Sequence, residues 1–153
     1  MLKNLDPLLN PNLLYILRAM GHGDVLTIVD SNFPADSVAS TTVHGEVIRL
    51  DGAGIPEVAR AIFSVFPLDS FIEAPIQYMQ VVGEPETTLE VHKDLHKIAL
   101  DNGDREWKMD SVERHSFYEQ SRKTYAVIAT AERRPYGCFM LTKGVIGPDG
   151  KVM

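Results

Sequence analysis

A single cysteine, Cys138, leaves this chain without any internal disulfide, which removes the disulfide-stapled secreted scaffolds from consideration. Long hydrophobic runs are missing too: no uninterrupted apolar stretch approaches the ~20 residues that cross a bilayer. The opening residues carry Asp6 and Pro7 where a secretory leader has a basic and then an apolar stretch, so the expectation is a soluble protein of a reducing cytoplasm. Positive charge is scarce, with 15 Lys and Arg against 21 Asp and Glu and a net charge of -6. The cations are scattered rather than clustered, which excludes the electrostatic footprint of a nucleic-acid binder or of a reader of anionic membranes. Small neutral ligands remain compatible. What is present, 44% hydrophobic and 24% charged residues over 153 positions with no repeat, linker or low-complexity tract, fits one domain over 1–153 whose core needs no staples.

Helical and extended patterns alternate along the chain. A helix opens at Asn10, with Pro11 at its first position and Leu13, Leu14, Ile16, Leu17 and Met20 forming one apolar stripe before Gly21 stops it. Val25 to Val29 is a short, nearly all-apolar strand, and Glu46 to Leu50 is a second. Pro56 opens a helix that turns Val58, Ala59, Ile62, Val65 and Phe66 inward and closes at Pro67. Ile76 to Val82 reads as a strand. Thr87 or Thr88 caps a helix carrying Val91, Leu95 and Ile98 that ends at Gly103. Trp107 to Val112 is extended, Ser116 to Lys123 helical, and Thr124 to Ala131 and Cys138 to Thr142 are strands joined by the turn Arg133-Arg134-Pro135-Tyr136-Gly137. Strands that are apolar on both faces imply helices on both sides, hence an α/β fold of three layers, α/β/α, in a single domain. The last two strands are joined too briefly for a crossover helix, so the sheet is expected to be mixed, with that pair antiparallel.

Several stretches carry chemistry-bearing residues. Met20-Gly21-His22-Gly23-Asp24 sets a histidine in a glycine-flanked turn at one end of the first strand, and Asp30-Ser31-Asn32-Phe33-Pro34 sets a carboxylate at the other. A histidine free of packing suits proton transfer, because an imidazole populates both protonation states near neutrality. No nucleophile accompanies it. Asp51-Gly52-Ala53-Gly54 lies between a strand and a helix, where a phosphate could sit, but it lacks both the third glycine of a dinucleotide fingerprint and any P-loop lysine. His92 and His96, four apart on a helix, have metal-ligand spacing without a third ligand and are read as covering a solvated helix edge. Cys138 sits in or beside a buried strand with no base to activate it. Glu113 to Glu119 packs a guanidinium, a phenol and an aromatic ring into the start of a helix, and Arg134 to Cys138 reads first as a hairpin turn.

In order and spacing, six motifs resemble the L-fucose mutarotase and D-ribose pyranase family over nearly the whole chain. They are Gly21-His22-Gly23-Asp24, Asp30-Ser31-Asn32-Phe33-Pro34, Arg49-Leu50-Asp51-Gly52, Pro67-Leu68-Asp69, Glu113-Arg114 with Phe117-Tyr118-Glu119, and Tyr136-Gly137 with Lys143-Gly144-Val145. The fucose branch is the closer match, since the ribose branch typically has Thr where Gly23 stands and histidine where Arg114 stands. The resemblance implies that His22 is the general acid/base, that Asp30, Asp69, Arg114, Tyr118, Tyr136, Gly137 and Cys138 form the sugar-binding set, and that Met79 lies near the substrate. One position departs: where the family usually reads Tyr-Gly-Asn or Tyr-Ala-Asn, this chain reads Tyr136-Gly137-Cys138, trading an amide for a weakly hydrogen-bonding thiol.

The activity so implied is an isomerase that interconverts the anomers of a fucose-like monosaccharide by acid/base-assisted ring opening, without cofactor or metal. Ribose pyranase activity, or a non-enzymatic sugar-binding protein of a transport or regulatory system, are the alternatives. Partners implied are a monosaccharide and further copies of the chain in a ring-like decamer, with no nucleic acid and no membrane. A geometric tension goes with this reading. Along a straight strand rising ~3.3 Å per residue, the His22 and Asp30 ends stand more than ~17 Å apart, too far for one sugar to touch both. The turn folds back, the strand bends, or a neighbouring subunit completes the site.

Overall fold

Asn10 begins the first helix as expected: its side chain accepts from the Leu13 N–H at 2.9 Å, and Pro11 occupies the first turn of α1 (Pro11–Ala19). The structure, a computed structural model, describes residues 2–103 and 105–153. After α1 come β1 (Val25–Val29), α2 (Ala35–Ala39), β2 (Val47–Leu50), α3 (Ile55–Phe63), β3 (Ile76–Met79), α4 (Glu90–Asp101), β4 (Met109–Val112), α5 (Arg114–Ser121), β5 (Ala126–Thr130) and β6 (Phe139–Thr142). No helix among the described residues is long and apolar enough to cross a membrane.

The strands form one six-stranded sheet in the order β2-β5-β1-β6-β3-β4. β5 runs parallel to both β1 and β2, and β3 parallel to β4. β6 alone is reversed, antiparallel to β1 on one side and β3 on the other. Alternate side chains divide the core between two faces, as the period of a strand requires. Leu26, Ile28, Ala126, Ile128, Phe139 and Leu141 pack with the apolar sides of α1, α3 and α4. Val29, Val127, Ala129 and Met140 pack with α2 and with Phe117 of α5. This is the expected three-layer, single-domain α/β/α arrangement with a mixed sheet.

One pairing departs from expectation. β5 and β6 do run in opposite directions, but they are not neighbours, because β1 lies between them and hydrogen-bonds to both. Residues 131–138 are therefore not a hairpin turn but an arch over the C-terminal end of β1. The physical reason is that β1 is buried along nearly its whole length and needs a partner on each edge, which the two last strands supply. The short helix α2 was not expected from the sequence. α4 is preceded by Leu89 at the cap rather than by Thr87 or Thr88, and the cap hydrogen bond comes from the Leu89 N–H to the His92 ring.

Candidate functional site

The expected site residues fall into two groups, one at each end of β1. At the C-terminal end, Asp30 follows β1 directly, and its carboxylate is 4% exposed. An Asx turn fixes it locally, with the Asn32 N–H donating to Oδ1 at 2.9 Å. The arch then reaches over to it: the Gly137 N–H donates to Oδ2 at 3.1 Å and the Cys138 thiol approaches the same oxygen at 3.5 Å. Glycine suits Gly137 in this approach, since a Cβ there would stand 3.1 Å from Glu132 Cγ, tighter than an ordinary contact.

Asp30 lines a cavity of about 270 Å³ together with Met79, Arg114, Tyr118, Tyr136 and Cys138, all of them expected, and with Asn32, Phe33 and Pro135. That is near the lower end of the ~300–1,000 Å³ range of small-molecule clefts. The groups around it are poised for hydrogen bonding with an uncharged ligand. Burial pushes the Tyr118 phenol above its ordinary pKa, with Cys138 adding to the shift, so it stays a donor at neutral pH. Burial also raises the Cys138 thiol well above its usual range, with the Asp30 charge adding to it, which makes it an inert lining group rather than a nucleophile. Arg114 opens α5, and among the described residues its Nε is a buried donor with no hydrogen-bond partner. An unmet buried donor costs about 1–3 kcal/mol, which an acceptor oxygen on a ligand would recover. Phe33, tilted against Tyr118 at 5.4 Å between centroids, supplies an apolar wall.

At the other end of the sheet, His22 and Asp69 form the second group. Asp69 repeats the Asp30 device: the Phe71 N–H donates to its Oδ1 at 3.0 Å in a second Asp-Ser Asx turn. His22 Nε2 lies 3.2 Å from the same oxygen, its side chain 46% exposed against 4% for Asp69. A carboxylate only accepts, so Nε2 carries the hydrogen and Nδ1 is left as a free lone pair. The ring is steadied by the edge of Phe71 at 5.4 Å.

The His22 turn is tied down by its surroundings. Gly23 adopts φ +82°, which its missing Cβ permits, and donates its N–H to the Lys143 carbonyl at 2.8 Å. Lys143 in turn donates from Nζ to the Leu17 and Met20 carbonyls at 2.7 and 2.6 Å, closing the C-terminal end of α1. The Lys143-Gly144 pair noted in the sequence is thus the clamp on the histidine turn.

One other expectation changes, and the reading of Asp51 to Gly54 as a turn before a helix gains a physical reason. His92 is fully buried rather than at a solvated edge: its Nε2 faces the Tyr136 carbonyl at 2.9 Å, and its ring lies against Tyr78 and Phe139. His96 is bound separately to the Trp107 carbonyl, so the two do not converge. At Asp51 to Gly54, the N-terminus of α3 is filled from within. Glu132 accepts from the Ile55 N–H at 3.3 Å and from the Arg134 backbone and guanidinium at 2.8–3.0 Å. The Arg134 guanidinium is the main reason its carboxyl is held at about 2. A negative charge already at that helix end repels a phosphate. Sequence reasoning missed Glu132 because nothing in its neighbourhood announces that the arch folds back onto α3.

Comparison with known proteins gives the same direction. A family model described as the RbsD / FucU transport protein family matches residues 3–146. The chain is 41% identical over 150 residues to a fucose mutarotase of Danio rerio, covering 97% of this chain and 96% of that protein. It is 39% identical over 148 residues to an L-fucose mutarotase of Actinobacillus pleuropneumoniae, covering 95% and 97% respectively. A crystal structure of the fucose mutarotase of Streptococcus pneumoniae in complex with L-fucose superposes with a TM-score of 0.85 at 34% identity, over 95% of this chain and all of that one.

Proposed function

The chain belongs to the RbsD/FucU family, and on that premise we propose that it is a fucose mutarotase, an isomerase that interconverts the α and β anomers of L-fucose. Relatives at about 40% identity over the whole chain carry that name, and a solved relative holds L-fucose. The observation that carries the chemistry is the pairing of an exposed, oriented histidine, His22 on Asp69, with a separate cavity of hydroxyl-binding groups around Asp30.

Anomer exchange through the open chain requires a proton to leave the anomeric hydroxyl and another to reach the ring oxygen, followed by rotation and the reverse. It forms no covalent intermediate with the protein. His22 performs the proton transfers from Nδ1, with Asp69 fixing the tautomer and steadying the imidazolium formed on the way. Asp30 accepts from a sugar hydroxyl, Arg114 donates from Nε, and the Tyr118 and Tyr136 phenols complete the polyol contacts. Met79 and Phe33 form the apolar wall against which the methyl of fucose packs, where a pentose leaves space.

The same reading includes assembly. The two clusters lie at opposite ends of β1, which is paired with β5 on one edge and β6 on the other, so His22 of one copy serves the Asp30 cavity of a neighbour in a homo-oligomer, of the ring-like decamer type that the family resemblance implies. The exposed apolar side chains Phe71 and Ile72 beside His22, and Val82 beside Tyr136, are the surfaces such packing covers. A cytoplasmic location belongs to this reading and is supported by a lone, unpaired Cys138.

Anomeric proton exchange spectra of L-fucose, D-ribose and galactose, with and without the protein, test the reading. Fucose exchange is accelerated, and ribose less so by a factor within ~10–200, because one methyl group is worth only ~1–3 kcal/mol. Fucose that binds without faster exchange makes the protein a sugar binder instead, and ribose accelerated as much or more moves it to the pyranase branch.

A further inference from the structure

His92 lies in neither cluster, yet its ring is fully buried and every polar atom on it is used. It occupies the third position of α4, with its Nδ1 accepting from the Leu89 N–H at 3.2 Å. The hydrogen therefore sits on Nε2, which donates to the Tyr136 carbonyl at 2.9 Å. Burial, the larger influence, lowers the imidazole pKa against the opposing pull of that carbonyl, so the ring stays neutral and the tautomer holds. Tyr78 lies 4.4 Å away by centroid and Phe139 5.8 Å away edge-on, leaving the ring no other orientation.

The acceptor is an unusual backbone. Tyr136 has φ 62°, in the left-handed region that residues with a Cβ seldom adopt. Such a conformation persists only where its surroundings impose it. The Tyr136 hydroxyl accepts from the Val82 N–H at 3.3 Å, and two residues earlier Arg134 is bound by Asp94 of α4 at 2.7 Å. α4 thus holds the arch at two points, through Asp94 and through His92.

We propose that His92 is a positioning residue of the sugar pocket: its Nε2–H holds the Tyr136 carbonyl, keeps that residue in its left-handed conformation and so sets where the phenol stands in the Asp30 cavity. The proposal rests on reading that cavity as the sugar site. A histidine kept only for packing between two aromatic rings is replaceable by phenylalanine. One kept for its donor is not. Because His92 touches neither His22 nor Asp69, loss of its donor acts on how the sugar is held rather than on the groups that move the proton.

The test compares His92→Phe, which keeps the ring stack, with His92→Gln, whose amide nitrogen reaches toward the same carbonyl. KM and kcat for L-fucose come from anomer exchange measured on assembled protein. His92→Phe is expected to raise KM about tenfold, the worth of roughly one hydrogen bond, with kcat little changed, and His92→Gln to recover most of the loss. An unchanged KM in folded His92→Phe, or a fall in kcat that Gln does not rescue, overturns the proposal. Should His92→Phe not fold, the unaltered protein still decides. Its imidazole nitrogen spectrum must show a hydrogen on Nε2 coupled across the hydrogen bond to the labelled Tyr136 carbonyl carbon, and that coupling must respond to added fucose. The opposite tautomer, or a coupling indifferent to fucose in protein that exchanges its anomers, refutes it. If the unaltered protein accelerates no fucose exchange, the sugar-site reading fails first and is seen to fail separately.

Discussion

A carboxylate that can only accept chooses the tautomer of the histidine beside it, and in this protein that choice decides which ring nitrogen keeps a free lone pair. Asp69, buried and already bound to the Phe71 N–H, leaves His22 no alternative to donating from Nε2. His22→Ala is expected to slow anomer exchange by ~10²–10⁴ with an unchanged thermal melt, and exchange at the original rate would remove the residue from the mechanism. Asp69→Asn is the finer change. The amide can donate as well as accept, so both tautomers become available and exchange should fall by at least about tenfold while fucose still binds, measured by titration of the variant. At this scale the sequence was informative about residue type and chain position. The glycines beside His22 announce an unpacked ring, and Asp30 stands at the strand end where its place in the chain puts it. The buried partners of those residues carry no local mark. Glu132 and Lys143 act across 77 and 126 residues, so only the folded chain brings them to Ile55 and Leu17. His92 was misread because its spacing from His96 describes a helix face, and a face says nothing about which element comes to cover it.

Among elements, the arch between β5 and β6 is where structure and function are most tightly joined, for it carries Tyr136, Gly137 and Cys138 and crosses the end of β1. Its anchor is Glu132, 7% exposed, tied to Arg134 and to the N-terminus of α3. The carboxyl is held at about 2 in the folded protein against an ordinary 4.5, mainly by Arg134. The folded chain thus holds that proton less tightly than the unfolded one. The resulting stability is complete above pH 4.5 and is lost as pH falls from there through about 2. Glu132→Gln should cost about 2 kcal/mol at neutral pH, after discounting for solvent on the Arg134 side, and should flatten the acid limb of a denaturant series between pH 4 and 2. An acid limb as steep as before would assign it to other carboxylates. Helices with a stripe and a cap, such as α1 with Asn10 and Pro11, were legible because their signals are local. α2 was not, since five residues are too few to display a period. The separation of β5 from β6 was hidden for another reason: a short connection normally means neighbours, and only the burial of β1 on both faces requires it to be inserted between them.

At the scale of the whole molecule the sheet itself separates the His22–Asp69 pair from the Asp30 cavity. β1 is paired with β5 from Leu26 to Val29 and with β6 from Val25 to Ile28, a ladder in which no residue of the strand folds back to carry His22 toward Asp30. Every partner of His22 lies at the end where β6 finishes, near Lys143, and every group of the Asp30 cavity at the end where β6 begins, near Cys138. If a neighbouring copy joins the halves, each site takes its histidine from one chain and its tyrosine from another. His22→Ala and Tyr136→Ala proteins are then each inactive alone, but a mixed oligomer assembled from both contains sites with neither defect. With equal amounts and random reassembly, about a quarter of the sites combine an intact His22 with an intact Tyr136, so exchange should return to roughly a quarter of the unaltered rate. Sites built from a single chain predict no recovery at all, because every chain then carries one defect into its own site. Mass spectrometry of the mixed assemblies establishes that the two variants have exchanged, and well-mixed oligomers that stay inactive would locate His22 and Tyr136 of each site on the same chain and leave the separation along β1 without a function.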